Sequence, residues 1–433
     1  MFQHQEIVDN IIDYVRESSD GHFRAPLKSC ALVSKAWLPR SQRHLFNHVR
    51  PQYKTEFKRW CKNITKERAE VLSAYTRWLS YSPPYKTKDK NALEQFTYFT
   101  RVETLCVFRV DFLKFRNDKP GLQSAFGHFG NAVRYLVIDR CIGHFPTLIN
   151  MFRLLPNFTH LSIFHSTLPY PTLGTHEDML AYFEKVETLR MTGTERYFIN
   201  MLMPDRFTSL KHISYSDKGP ESPGDLRVLL NGSRKTLETL TILSGHCLTN
   251  LSECSLFTLV WLYLLYMAWT LTFILSLGFL EDRRWDLPPE EYSLEPCRKL
   301  REIAFDHMHI NKPNPEILAV LPTIDSPHFT TVTFLAQDAN VDFDYPSSKY
   351  WRRVDEVLTV LGKKLVQKHQ KKLAVVFDGW TAPIEDEDAT KRWKNLLSNF
   401  AKVGEITFKY MDPPPRAYNP PTWRSLTRDI VKG

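Results

Sequence analysis

A chain of 433 residues, 43% hydrophobic and 24% charged, can bury a sizeable core, which excludes a disordered or fibrous protein. Lys and Arg number 57 against 48 Asp and Glu, and this net charge of +9 is scattered rather than gathered into a stripe, which points away from nucleic acid. The seven cysteines are widely spaced and include no CxxC, which excludes a disulfide framework and fits single thiols in a reducing compartment.

The first ten residues, MFQHQEIVDN, carry acids and no apolar h-region, so no secretory signal is expected and the cytoplasm or nucleus is the expected compartment. In QEIVDNIIDYVR (5–16), Ile7, Val8, Ile11, Ile12 and Val15 recur at helical spacing and predict a short amphipathic helix. Gly21 and Pro26 mark a loop. LKSCALVSKAW places Leu27, Cys30, Ala31 and Val33 around a second helix, with Trp37 just beyond. Pro39 opens a third, PRSQRHLFNHV, which carries Leu45, Phe46 and Val49. Three short helices in under fifty residues enclose little core, so part of their apolar surface must pack on the following domain or dock on a partner.

Read together, E-I-V-x-x-I-I, then L-x-x-C-A-L-V-S-K-x-W, then R-x-L-F over residues 4–49 resembles the F-box, in particular that of mushroom-forming fungi. Where that family usually opens on Leu-Pro, this chain reads Gln3-His4. The resemblance implies a substrate-recognition adaptor of a Skp1–cullin–F-box ubiquitin ligase. Its short helices would bind a Skp1-like linker of the cullin complex, and the rest of the chain would hold an unidentified protein substrate. The residues expected to form the module's core and its Skp1-binding face are Ile7, Ile11, Leu27, Leu32, Val33, Trp37, Leu45 and Phe46. Sequence does not separate those two roles.

Residues 51–100 read as a helical linker or cap: FKRWCKNI and RAEVLSAYTRWLSY as helices, SPPYKTKDKN (82–91) as a polar loop. From residue 101 to 410 a short pattern recurs, an apolar anchor two positions before another apolar residue. The anchors are Leu105, Leu136, Leu161, Leu189, Ile213, Leu240, Ile303 and Val332. Their spacings are 31, 25, 28, 24, 27, 63 and 29, so all but one lie in or near the leucine-rich-repeat range. Between the short strands run helical or irregular returns such as Leu148 to Phe158 and Asp225 to Gly232. No unit can bury its own apolar side, so the units must stack. The expected fold is α+β or α/β: a three-helix F-box-like module followed by an irregular leucine-rich-repeat solenoid. Regular repeats favour Asn or Cys five residues after each anchor. This chain has Cys141, Ser166 and Thr194 there, but also Lys218, Gly245 and Met308.

The long gap contains Leu256 to Leu280, 25 residues without a charge. Three readings of this segment, with flanks at 255–287, stay open: an insertion foreign to the working protein, such as a translated intron; a membrane anchor; or an apolar helix buried on the repeats. After the last of these anchors come a helix around Trp351–His369, a strand at 373–380, a helix near Thr390–Ala401 and the strand EITFKY. The Pro-rich tail, 411–433, is expected to be poorly ordered.

No phosphate-binding, zincin or nucleophile-elbow motif occurs, and neither catalysis, nor a cofactor, nor a metal is expected. Asp306, His307 and His309 lack a further ligand, and Cys247 and Cys254 read as buried thiols. The run Lys363 to Lys372 reads as a solvated helix face, and Asp386, Glu387 and Asp388 as an acidic turn favouring the next helix. Two other functional readings remain, a repeat scaffold without a ubiquitin link and a membrane-anchored protein using 256–280.

Overall fold

The computed structural model describes residues 2–18, 24–50, 65–82, 95–116, 118–167, 183–192, 208–216, 223–243, 293–306, 316–335, 348–380, 391 and 394–410. The chain opens with α1 (Phe2–Ser18), α2 (Arg24–Val33) and α3 (Leu38–Asn47). Pro39 lies in the first turn of α3, where its missing N–H costs nothing. Pro26, expected in a loop, lies in the first turn of α2 for the same reason.

Helix α3 runs directly into β1 (His48–Val49), which pairs in parallel with β2 (Trp78–Tyr81) after α4 (Lys66–Tyr75). The helix expected over RAEVLSAYTRWLSY thus stops at Tyr75, where the Thr76 hydroxyl donates to Leu72 O and Phe46 O, both at 2.9 Å. WLSY becomes strand because its aromatic residues suit a pleated surface and Leu79 joins the buried ladder. The sheet therefore starts inside the stretch expected to be a helical cap; FKRWCKNI lies outside the described residues.

Ten further strands follow: β3 (Thr104–Phe108), β4 (Tyr135–Asp139), β5 (His160–Phe164), β6 (Thr188–Thr192), β7 (His212–Ser216), β8 (Thr239–Leu243), β9 (Glu302–Asp306), β10 (Thr331–Leu335), β11 (Ala374–Trp380) and β12 (Glu405–Tyr410). Along the returns lie α5 (Lys119–Phe126), α6 (Phe145–Leu154), α7 (Pro223–Ser233), α8 (Glu316–Val320) and α9 (Ser348–His369). Among the described residues the strands make one sheet of twelve, each bonded to the next in chain order. Every pairing is parallel. Strands laid side by side in chain order, with a return after each, are the layout of an α/β repeat solenoid.

All eight sequence anchors stand in one register across β3 to β10. Val49 and Leu79 extend the ladder at one end, Val375 and Ile406 at the other. From Val49 to Val375 every rung is buried. Two positions on, Phe305, Phe334, Phe377 and Phe408 line up with ring centroids 6.0, 5.3 and 5.2 Å apart. Trp351 of α9 meets Phe334 edge-on at 5.8 Å, and Val354, Leu358, Leu361 and Leu365 continue that buried helical stripe.

The turns after β3, β4 and β5 put Arg109, Arg140 and His165 at φ of 52°, 52° and 46°, a left-handed conformation that side chains disfavour. Each of these N–H groups donates to the neighbouring strand's last residue: Asp139 O, Phe164 O and Thr192 O, at 2.8–2.9 Å. The bond between repeats holds the strained turn. One residue further on, Val110 N donates to Cys141 Sγ at 3.4 Å and Cys141 N to Ser166 Oγ at 3.1 Å. Cys141 and Ser166 thus satisfy turn backbone groups as the Asn or Cys of a regular repeat would. Thr194, Lys218, Gly245 and Met308 lie outside the described residues.

Candidate interaction surfaces

The N-terminal helices divide their apolar residues between inside and outside. Ile12 of α1 and Leu27 of α2 are 0% exposed. Ile7 is 55%, Ile11 42%, Leu32 86% and Val33 62% exposed. Trp37, Leu45 and Phe46 are half-buried. Of the eight residues singled out in the sequence, Leu27 is core, four point outward and three lie between.

Tyr14 and Leu38, which sequence reasoning did not single out, join the exposed set. Tyr14 follows Ile7 and Ile11 at helical spacing, a signal present in the sequence. Gln5 Nε2 donates to Ala36 O at 3.2 Å, so the start of α1 lies against the turn between Val33 and Leu38. Val33 and Leu38, both exposed, flank that turn.

A carboxylate fixes α1 to α3. Asp13 accepts from Arg40 through both oxygens, with Nε at 2.8 Å from Oδ1, and lies 2.6 Å from His44 Nε2. Arg40 chiefly, and His44 with it, hold the Asp13 carboxyl down to about 2 against the opposing effect of burial. Burial lowers the His44 pKa, and the Arg16 and Arg40 charges push the same way, outweighing the attraction of Asp13.

The sheet face opposite the anchor ladder is the second surface. Alternate strand residues project there; His48 stacks on Trp78 at 4.4 Å, and Tyr135 and His160 meet at a tilt with centroids 4.2 Å apart. His212 Nδ1 and Thr239 Oγ1 are 2.7 Å apart in the same row. Phe108, Cys106, Val137 and Phe164 form a small apolar cluster of their own on this side, and it is buried rather than presented to solvent. The Arg109 guanidinium lies 5.1 Å from the Phe108 ring centre and that of Arg190 5.8 Å from Phe164. Burial pushes the Asp139 carboxyl up to about 6 and the Cys106 thiol up to about 12, so Cys106 is inert as a nucleophile.

The lysine run on α9 is partly structural, a correction to its reading as a solvated face. Lys364 and Lys368, one turn apart, bond Asp325 at 2.9 and 3.1 Å, and Arg298 bonds it at 2.6 Å. Lys371 reaches Pro327 O at 3.0 Å. These contacts hold the Asp325 carboxyl far below the usual range. They lock α9 to the preceding return. His307, His309, Cys247, Cys254 and Asp386 to Asp388 lie outside the described residues. Among the described residues no helix is long and apolar enough to cross a membrane, and 256–280 is not among them.

No protein-family model matches the chain, and no curated protein matches it. Among solved structures it is similar to the leucine-rich repeat-containing protein LegL7 from Legionella pneumophila. The two are 12% identical over 71% of this chain and 87% of that one, with a TM-score of 0.38.

Proposed function

We propose that the chain is a non-enzymatic adaptor. In this reading the outward apolar face of α1, α2 and α3 docks on a Skp1-like linker of a cullin ubiquitin ligase. The repeat sheet holds a protein target, and the chain supplies proximity and orientation while other subunits carry out the transfer. The observation that carries the reading is the exposed set Ile7, Ile11, Leu32 and Val33, on helices whose sequence resembles the F-box. Large apolar side chains clustered in water mark an interaction site. Ile12 and Leu27 already serve the module's own core, which leaves the outward four without an internal role.

The test uses the full-length chain in mild detergent and a Skp1 homologue on beads. Ile7→Asp and Leu32→Asp, both at exposed positions, should weaken capture at least about tenfold with melting unchanged. Leu27→Ala, at a buried position, should lower stability by about 2–5 kcal/mol and lose capture through unfolding of the module. Capture that survives both exposed substitutions would sink the adaptor reading. The chain would then be a repeat-based binding scaffold whose helices only cap the sheet.

A further inference from the structure

Residues on a helix are rotated by about 100° each, so α1 presents three faces. Ile7, Ile11 and Tyr14 share the exposed apolar one, Val8, Ile12 and Val15 the inner one, and Asp9, Asp13 and Arg16 the third, which meets α3. Beside that third face lies a cleft of ≈ 410 Å³, walled by Arg16, Arg40, Arg43, Arg77 and Asp13, with His44 and Tyr75 completing it. Arg16 comes from the last turn of α1, Arg40 and Arg43 lie one turn apart on α3, and Arg77 precedes β2.

Four arginines thus line one cleft with Asp13. Asp13 is taken by Arg40, and Arg77 pairs with Glu103 at 3.2 Å. Arg16 and Arg43 have no carboxylate partner among the described residues. Two positive charges, on half-buried Arg16 and exposed Arg43, are left over beside the cleft. At the helix ends that border the cleft, three of the carbonyls are already occupied. Thr76 N donates to Leu72 O, the Thr76 hydroxyl to Phe46 O, and Arg77 N to Asn47 O.

We propose that this cleft binds the dianionic phosphate of a phosphate monoester. A phosphate monoester carries about −1.5 to −2 charge at neutral pH, which matches the two unpaired guanidiniums. The planar guanidinium fork also suits paired bonds to phosphate oxygens. The cleft falls within the size of small-ligand sites, about 300–1,000 Å³, so it has room for the group that carries the phosphate. The apolar face of Ile7, Ile11 and Tyr14 lies on another side of α1, so the cleft is independent of what docks there.

The test is calorimetric titration of the full-length chain in mild detergent with inorganic phosphate, then with a phosphoserine tetrapeptide and with glycerol 1-phosphate. All three should bind, and whichever organic phosphate binds more tightly identifies the source. Arg16→Gln combined with Arg43→Gln should weaken each at least about tenfold, with melting and Skp1 capture unchanged. Arg43→Lys alone should keep part of the affinity. Absence of phosphate binding in the wild type, or equal binding in the double variant, would overturn the assignment.

Discussion

Asp13 decides how the N-terminal helices respond to acid. Its carboxyl, held at about 2 by Arg40 and His44, contributes stability above the ordinary carboxylate value near 3.8, and that contribution is lost as pH falls towards 2. His44 has the opposite preference. Its folded pKa lies below the ordinary 6.5, so the unfolded chain takes up the proton first and stability declines as pH drops below 6.5. The module should therefore loosen in two stages, a first below pH 6.5 and a second between about pH 4 and 2. Methyl NMR of Ile12 against pH checks this. In Asp13→Asn the second stage should disappear and the module should already be weaker at neutral pH. A transition between about pH 4 and 2 retained in that variant would contradict the assignment.

At the scale of elements, the last strand depends on one buried carboxylate. Asp355 of α9 is 2% exposed and accepts from Asn399 N at 3.1 Å, Asn399 Nδ2 at 2.9 Å and Phe400 N at 2.8 Å. It thereby caps the turn at Phe400–Lys402 that leads into β12. Asp355→Ala would orphan two backbone donors at a cost of about 1–3 kcal/mol each. Hydrogen exchange should show β12 opening ahead of β10 and β11, and urea unfolding should shift to lower midpoint. Unchanged protection of Glu405–Tyr410 would show that ladder pairing alone holds the strand.

At the scale of the whole molecule, the break in repeat spacing does not break the sheet. Leu240 and Ile303 are partners in adjacent parallel strands although 63 residues separate them. Arg301 N reaches Glu238 O at 2.7 Å across the same junction. Strand β9 takes the rung next to β8, as expected of a unit that must touch its neighbour. Deleting Ser255 through Leu287 should leave about 30 residues between the anchors, an ordinary repeat. Soluble yield without detergent should rise and cooperative melting should persist, because 25 uncharged residues exceed what a soluble surface tolerates. Loss of cooperative melting in the deletion would identify the segment as part of the core. A full-length chain that needs detergent, with a deletion that loses a membrane address in cells, would identify it as an anchor.

The sequence alone determined the ladder, because period-two apolarity at repeat spacing leaves one stacking register, and Leu105 through Val332 stand in it. It also determined the three opening helices, whose apolar spacing and Pro39 are local signals. The two end rungs at each side were not legible as repeats. Val49 and Leu79 sit in stretches that read as helix, and their strand state comes from pairing, β1 with β2 and β2 with β3. Nor could the sequence say that Leu27 turns in while Leu32 turns out, since both belong to one apolar helix pattern. Only tertiary packing decided that, because a helix with apolar residues on two faces is sorted by what lies beside it. The arginine cleft was invisible for a related reason: Arg16, Arg43 and Arg77 come from three elements and meet only when α1, α3 and β2 are assembled.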